Sequence, residues 1–279
     1  MDFQLDDDQK ALRDGMRQLL RGRFSLRDAT GRLDRALWRE LGGAGFFSLT
    51  LPEAEGGVGL GLPEAVLIFE EAGRALLPGP AVASFLAAGV VPGAASGDVV
   101  VTAVDGSLVP WLDEADVAQG DVTGAVPLRS VDPLTPLHRV PDTGNLAGGV
   151  LLYAAEQLGS ASRTCETAVQ HARRREQFGQ PIGAFQAVKH LCAQMFVRAE
   201  LARAAVYAAA VTGDALDASA AKLLADDAAV RNARDCLQVH GGMGFTWEAE
   251  VHLHLKRAWV RAELGRSARD AEDDLAEAL

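Results

Sequence analysis

The apolar residues Phe185, Val188, Cys192, Met195, Ala199, Ala202 and Val206 recur at alternating steps of three and four. A helix with a period near 3.6 puts them all on one face, so 184–211 is expected to be one long amphipathic helix. Neighbouring stretches read the same way, giving expected helices over 148–174, 215–239 and 246–263. Long helices joined by short connections imply an antiparallel bundle. Alanine-rich runs such as RAAVYAAAV and SAAKLLADDAAV let such helices approach closely, within one chain or between two.

The N-terminal part is also helical in pattern. Leu12, Met16, Leu19 and Leu20 lie at helical spacing within Asp6–Arg23. A second helix carries Leu33, Leu37, Trp38 and Leu41 and ends at Gly42-Gly43. After a glycine-rich loop, a helix from Pro63 to Leu77 is stopped by Pro78-Gly79-Pro80, and a short one covers Val82 to Val90. From about Asp98 the character changes. DVVVTAV is β-branched, Asp105-Gly106 reads as a hairpin turn, and Val122–Leu128 and Leu137–Val140 are further short strand candidates. The expected fold is therefore mostly α with a small β insert: an N-terminal helical domain at 1–97, a β-rich middle segment at 98–146 and a C-terminal bundle at 147–279.

A net charge of −11 argues against nucleic acid as a partner, since phosphate backbones need a basic surface. Any anion must instead meet a local cluster, and Arg173, Arg174 and Arg175 form the densest one. The acidic N-terminus resembles no targeting peptide, and no apolar run is long enough to span a bilayer, so a cytoplasmic protein without membrane contact is expected. Cys165, Cys192 and Cys236 form no CxxC pair and read as reduced thiols. His252 and His254 stand two apart, on different sides of a helix, so no metal site is expected.

Two segments are specific: RREQFGQPIGAFQAVKH at 174–190 and QVHGGMGFTWE at 238–248. With the helix–β–helix order and LPEAEGGVGLGLPEAVLIFEEAGRAL before the insert, they resemble the acyl-CoA dehydrogenase family over nearly the whole chain. The resemblance implies FAD as cofactor, an acyl-CoA thioester as substrate and α,β-desaturation as the reaction. By position, Arg175 is the family's arginine on the FAD pyrophosphate, often that of a neighbouring subunit. A guanidinium suits that role because it is planar and permanently charged. Gln177 and Phe178 would complete the edge of that site, Gln186 lies near the cofactor, and Gln238 resembles the family's glutamine beside the pyrophosphate-adenosine portion. Gly241, Gly242 and Gly244 would let the backbone come close to the ligand. Arg173 is read as a solvated helix end.

The chain also departs from the family. Desaturation needs a carboxylate to take a proton, and the family's glutamate falls at about Gly265. The nearest substitute is Glu263. A second location used by some relatives falls near Gly149, with Glu156 two turns on, where an ordinary helix-surface residue is the favoured reading. The middle segment is short and lacks the family's flavin-holding motifs; Trp111, in LVPWLDEAD, has the wrong surroundings. These absences resemble the reduced subunit of a heteromeric bacterial acyl-CoA dehydrogenase, such as those of steroid degradation, in which a larger partner shares each FAD site in an α2β2 heterotetramer. The alternatives are a homo-oligomeric dehydrogenase with a relocated base and a non-catalytic structural subunit of the same fold.

Overall fold

Asp6 opens the first helix by accepting the backbone N–H of Gln9 at 2.8 Å, and Gln9 returns a bond to the N–H of Asp6. In this computed structural model residues 4–21, 23, 31–144 and 146–278 are described. Parts of the expected N-terminal unit, at 1–3, 22 and 24–30, lie outside them. Four helices come first: α1 (Asp7–Leu20), α2 (Arg35–Gly43), α3 (Leu62–Ala75) and α4 (Ala81–Ala87). Pro63 sits in the first turn of α3 and Leu76 ends it in the left-handed region, as the proline-rich stop implied.

Five short strands follow: β1 (Val101–Ala103), β2 (Gly106–Pro110), β3 (Val117–Gln119), β4 (Val126–Leu128) and β5 (Leu137–Gly144). The tight turn expected at Asp105-Gly106 is present, with Asp105 and Leu108 exchanging backbone bonds at 2.8 and 3.0 Å around Gly106-Ser107, but the strands on its two sides belong to different sheets. β1 pairs in parallel with β3, while β2 joins the antiparallel order β2-β5-β4. The chain crosses here from one small sheet to the other. While its backbone makes that turn, the buried side chain of Asp105 accepts the N–H of Gly265 at 2.7 Å.

The C-terminal part contains α5 (Gly149–Arg174), a hairpin of β6 (Glu176–Gln177) and β7 (Gln180–Pro181), α6 (Gln186–Thr212), α7 (Ala215–His240), α8 (Val251–Ala262) and α9 (Ala268–Glu277). The sequence reading missed β6, β7 and α9. The strands are two residues each, and ARDAEDDLAE offers little apolar periodicity. The α6 stripe is confirmed: Met195, Ala199, Ala202 and Val206 are buried, with Val188 and Cys192 partly so.

Cross-helix bonds set the directions. Gln157 donates to Asp226 at 2.8 Å, and further along His171 stacks on His240, so α5 and α7 run parallel with α6 returning between them. α8 runs back along α5, with Ser160 bonded to His254 at 2.7 Å and Glu156 paired with Arg261 at 2.8 Å. α3 crosses α5 at a glycine contact: a Cβ on Gly159 would stand 1.9 Å from the Glu70 carbonyl oxygen, and one on Gly73 2.0 Å from that of Glu156. Beside the crossing, Arg203 and Tyr207 of α6 bond Glu70 at 2.6 and 2.8 Å. Arg257 of α8 pairs with the fully buried Asp132 and donates to the carbonyls of Leu77 and Leu134, tying the helical and β parts together. Among the described residues, no helix is long and apolar enough to cross a membrane.

Candidate functional site

At the end of the bundle where α5 and α7 finish, the structure gathers the residues singled out for FAD. Arg175 follows α5 directly; its N–H reaches the His171 carbonyl and its own carbonyl accepts the N–H of Ile182 at 2.8 Å. Phe178 and Gly179 form the turn between β6 and β7, with φ of 54° and 77°. Positive φ at both turn residues is what a tight two-residue hairpin demands, and a phenylalanine pays in strain for adopting it. Its ring is 92% exposed and meets Phe185 edge-on at 6.1 Å. Gln186 opens α6, exposed, and Gln238 is exposed in the last turn of α7.

The glycine loop after α7 is a short 3₁₀ turn, Gly241–Phe245. Its glycines differ. Gly241 has φ 61°, and a Cβ on the buried Gly244 would press within 3.0 Å of His240. At Gly242 a Cβ would meet nothing within 4 Å and φ is not positive, so nothing inside this chain calls for glycine there. Phe245 and Trp247 stand beside it, 71% and 64% exposed. Among the described residues no carboxylate pairs with Arg173, Arg174 or Arg175. The cluster is thus basic, glycine-lined and fringed with exposed aromatics, in a chain whose net charge is −11.

The family's base position lies toward the opposite end, where α5 begins, and α5 is about 39 Å long if it rises 1.5 Å per residue over its 26 residues. A cavity of about 700 Å³ opens between one face of the β2-β5-β4 sheet and the α8–α9 region. Leu108, Leu137 and Arg139 line one wall, Trp259, Glu263 and Gly265 the other. Glu263 is exposed on it. Gly265 has φ 78°, and a Cβ there would meet Tyr153 at 2.9 Å, so the position matching the family's base has no room for a side chain.

Glu156 is not the surface residue expected. It is buried, ion-paired with Arg261 and lines a separate cavity of about 40 Å³ with Trp111 and Tyr153. Burial raises its carboxyl pKa against the pull of Arg261 and Arg257, and burial also pushes the Arg261 guanidinium down to about 10. Asp105 is a carboxylate the sequence reading took only for a turn signal. It lines the large cavity, and burial raises its pKa despite the bond from the Gly265 N–H. His254, buried and bonded to Ser160, is driven down to about 3 by burial and surrounding arginines, so it is neutral, while His252 packs against Trp247. His171 and His240, also unremarked in the sequence, stack beside Arg175.

Residues 6–96 match the acyl-CoA dehydrogenase N-terminal domain and residues 142–267 its C-terminal domain. The acyl-CoA dehydrogenase IpdE2 of Mycobacterium tuberculosis is 35% identical, over 85% of this chain and 84% of its own length. The chain belongs to the acyl-CoA dehydrogenase family. It is an oxidoreductase of that kind. FadE34 of the same organism is 37% identical across 84% of this chain, which spans 41% of that longer protein. In fold, this acyl-CoA dehydrogenase resembles a chain of the ChsE4-ChsE5 complex from Mycobacterium tuberculosis, with a TM-score of 0.84 and 24% identity, covering 99% of this chain and 98% of the other.

Proposed function

We propose that this chain is one subunit of a heteromeric FAD-dependent acyl-CoA dehydrogenase, lending Arg175, Gln177, Phe178, Gln186, Gln238 and the 241–244 loop to a flavin held mainly by a larger partner. The observation that carries this reading is the separation of the two ends. Arg175, Gln177, Phe178, Gln186 and Gln238 are exposed and fringed by exposed aromatics, while the base position at the other end is a glycine walled by Tyr153. A structure resembling this one is a complex of two differently named chains, ChsE4 and ChsE5. An α2β2 assembly with each FAD site shared is the arrangement we infer, and a cytoplasmic location agrees with its chemistry.

The residues present fit FAD. Arg175 offers a free fork of donors for a pyrophosphate, Gln238 an amide for the adenosine side, and Gly242 a backbone bare of Cβ on the open face. FAD, when bound, supplies the hydride acceptor of the desaturation. This chain's part is to hold the diphosphate and, through Phe178 and its aromatic neighbours, to exclude water at the seam.

A second reading has its own observation. Glu263 is exposed on the 700 Å³ cavity, which suits a homo-oligomer with a relocated base. Absorbance and mass of the purified chain, alone and co-expressed with a candidate partner, decide between the two. Flavin bound only in a stable two-component complex supports the shared site. A yellow homo-oligomer bleached by an acyl-CoA overturns it in favour of Glu263, and absence of flavin from both would leave a structural subunit of the same fold.

A further inference from the structure

Two helix C-termini meet beside Arg175. His171 lies in the last turn of α5 and ends its side of the bundle against His240, the last residue of α7, with ring centroids 4.0 Å apart and planes at 25°. Helix C-termini carry partial negative charge, so an anion placed here is disfavoured unless cations reverse the local field. Arg175 supplies one such charge. The stacked imidazoles, both half-buried, are further groups that can supply it.

Their hydrogen bonding leaves them available. The Cys236 carbonyl is 2.8 Å from His240 Nδ1, and a carbonyl only accepts, so Nδ1 carries the proton and the lone pair is on Nε2. The His171 ring has no hydrogen-bond partner among the described residues. Burial, then His240, then Arg175 hold His171 below its ordinary 6.5 in the absence of an anion. The other ionisable groups on elements packed around the pair are Arg173 and Arg174 in the last turn of α5, Glu176 after it, Cys236 of α7, and Lys189 and His190 on the first turns of α6. The turns at 182–184 and 241–245 bring none, and α8 packs here through Val251 and Leu255. Two rings this close do not both charge readily, so the pair takes one proton.

We propose that the His171–His240 pair is part of the diphosphate site, an imidazolium shared between the rings joining Arg175, so that binding of the cofactor's pyrophosphate takes up a proton. This rests on the shared-FAD reading above and adds two residues and a proton to it. The linkage has a fixed sign. An anion that favours the charged ring binds tighter as pH falls, by up to about tenfold per pH unit between the free and the bound pKa of the pair.

The test uses the two-subunit complex, stripped of flavin and titrated with FAD at pH 6, 7 and 8. The dissociation constant should rise roughly tenfold or more across that range. Calorimetry in buffers of different ionisation enthalpy should count about one proton taken up per FAD on the unaltered protein. His171→Asn should flatten the dependence, leaving affinity at pH 6 near the wild-type value at pH 8, while Arg175→Gln weakens binding at every pH and keeps the slope. FAD binding that is independent of pH with no proton uptake overturns the proposal and spares the shared site. So does a slope that survives both His171→Asn and His240→Asn. A complex that binds no FAD at all overturns both.

Discussion

Glu156 Oε1 lies 2.8 Å from Arg261 Nη2, with both side chains all but removed from solvent. A carboxylate locked against a guanidinium in this way joins α5 to α8 and is not presented to a substrate. Breaking one half leaves a buried charge without a counterion, which costs about 3–5 kcal/mol. Glu156→Gln should therefore lower the urea midpoint sharply, while any folded fraction keeps the turnover of its complex. Unchanged stability with lost turnover would return Glu156 to the list of bases.

Asp132 and Arg257 form the latch between the middle segment and the bundle. Burial alone would raise the Asp132 carboxyl, but Arg257, Thr135 and the Leu134 N–H outweigh it and hold the pKa below 3.8. Because the folded value is depressed, this contribution is complete well above the unfolded value and shrinks as pH falls through 3.8 toward the folded one. Urea midpoints measured from pH 6 to pH 3 should fall in that lower window. Asp132→Asn should start lower at pH 6 and fall less steeply.

Gly265→Glu restores a carboxylate at the family's base position. With φ at 78° and Tyr153 2.9 Å from the new Cβ, the variant should lose about 1–3 kcal/mol and gain no dehydrogenase activity. Differential scanning calorimetry and an acyl-CoA bleaching assay check both halves. Full stability would mean that the α8–α9 loop relaxes around a side chain, and that the position can hold a base.

Phe178 is a bulky residue at φ 54° with 92% of its surface exposed, a costly conformation met within the chain by one edge-on contact with Phe185. Phe178→Gly should stabilise the isolated chain by about 1 kcal/mol, since glycine adopts that φ freely. The same change should weaken association with the partner subunit. Melting of the chain alone and sedimentation of the complex measure the two effects, and a gain in both would remove Phe178 from the interface.

Much of this molecule was legible in local pattern. The three-and-four spacing from Val188 to Val206 predicted α6, and Pro78-Gly79-Pro80 marked the stop after α3, because periodicity and backbone restriction act within a few residues. What escaped were features with no local signature. β6 and β7 are too short to show a period, and α9 is too polar. The turn at Asp105 was legible, but not its burial, because the partner of its side chain, the Gly265 N–H, lies 160 residues away. Glu156 was expected at the surface because nothing near it in sequence announces Arg261.

The order of the residues alone determined the family, the helix–β–helix arrangement and the candidate flavin contacts, since motifs such as RREQFG and QVHGG are contiguous and carry their chemistry with them. Only the tertiary structure decided that those contacts face outward at one end of the bundle. It also decided that Gly265 is walled by Tyr153 and that His171 meets His240. These are matters of which helices run parallel and which side chains they bury, set by packing between segments far apart in the chain.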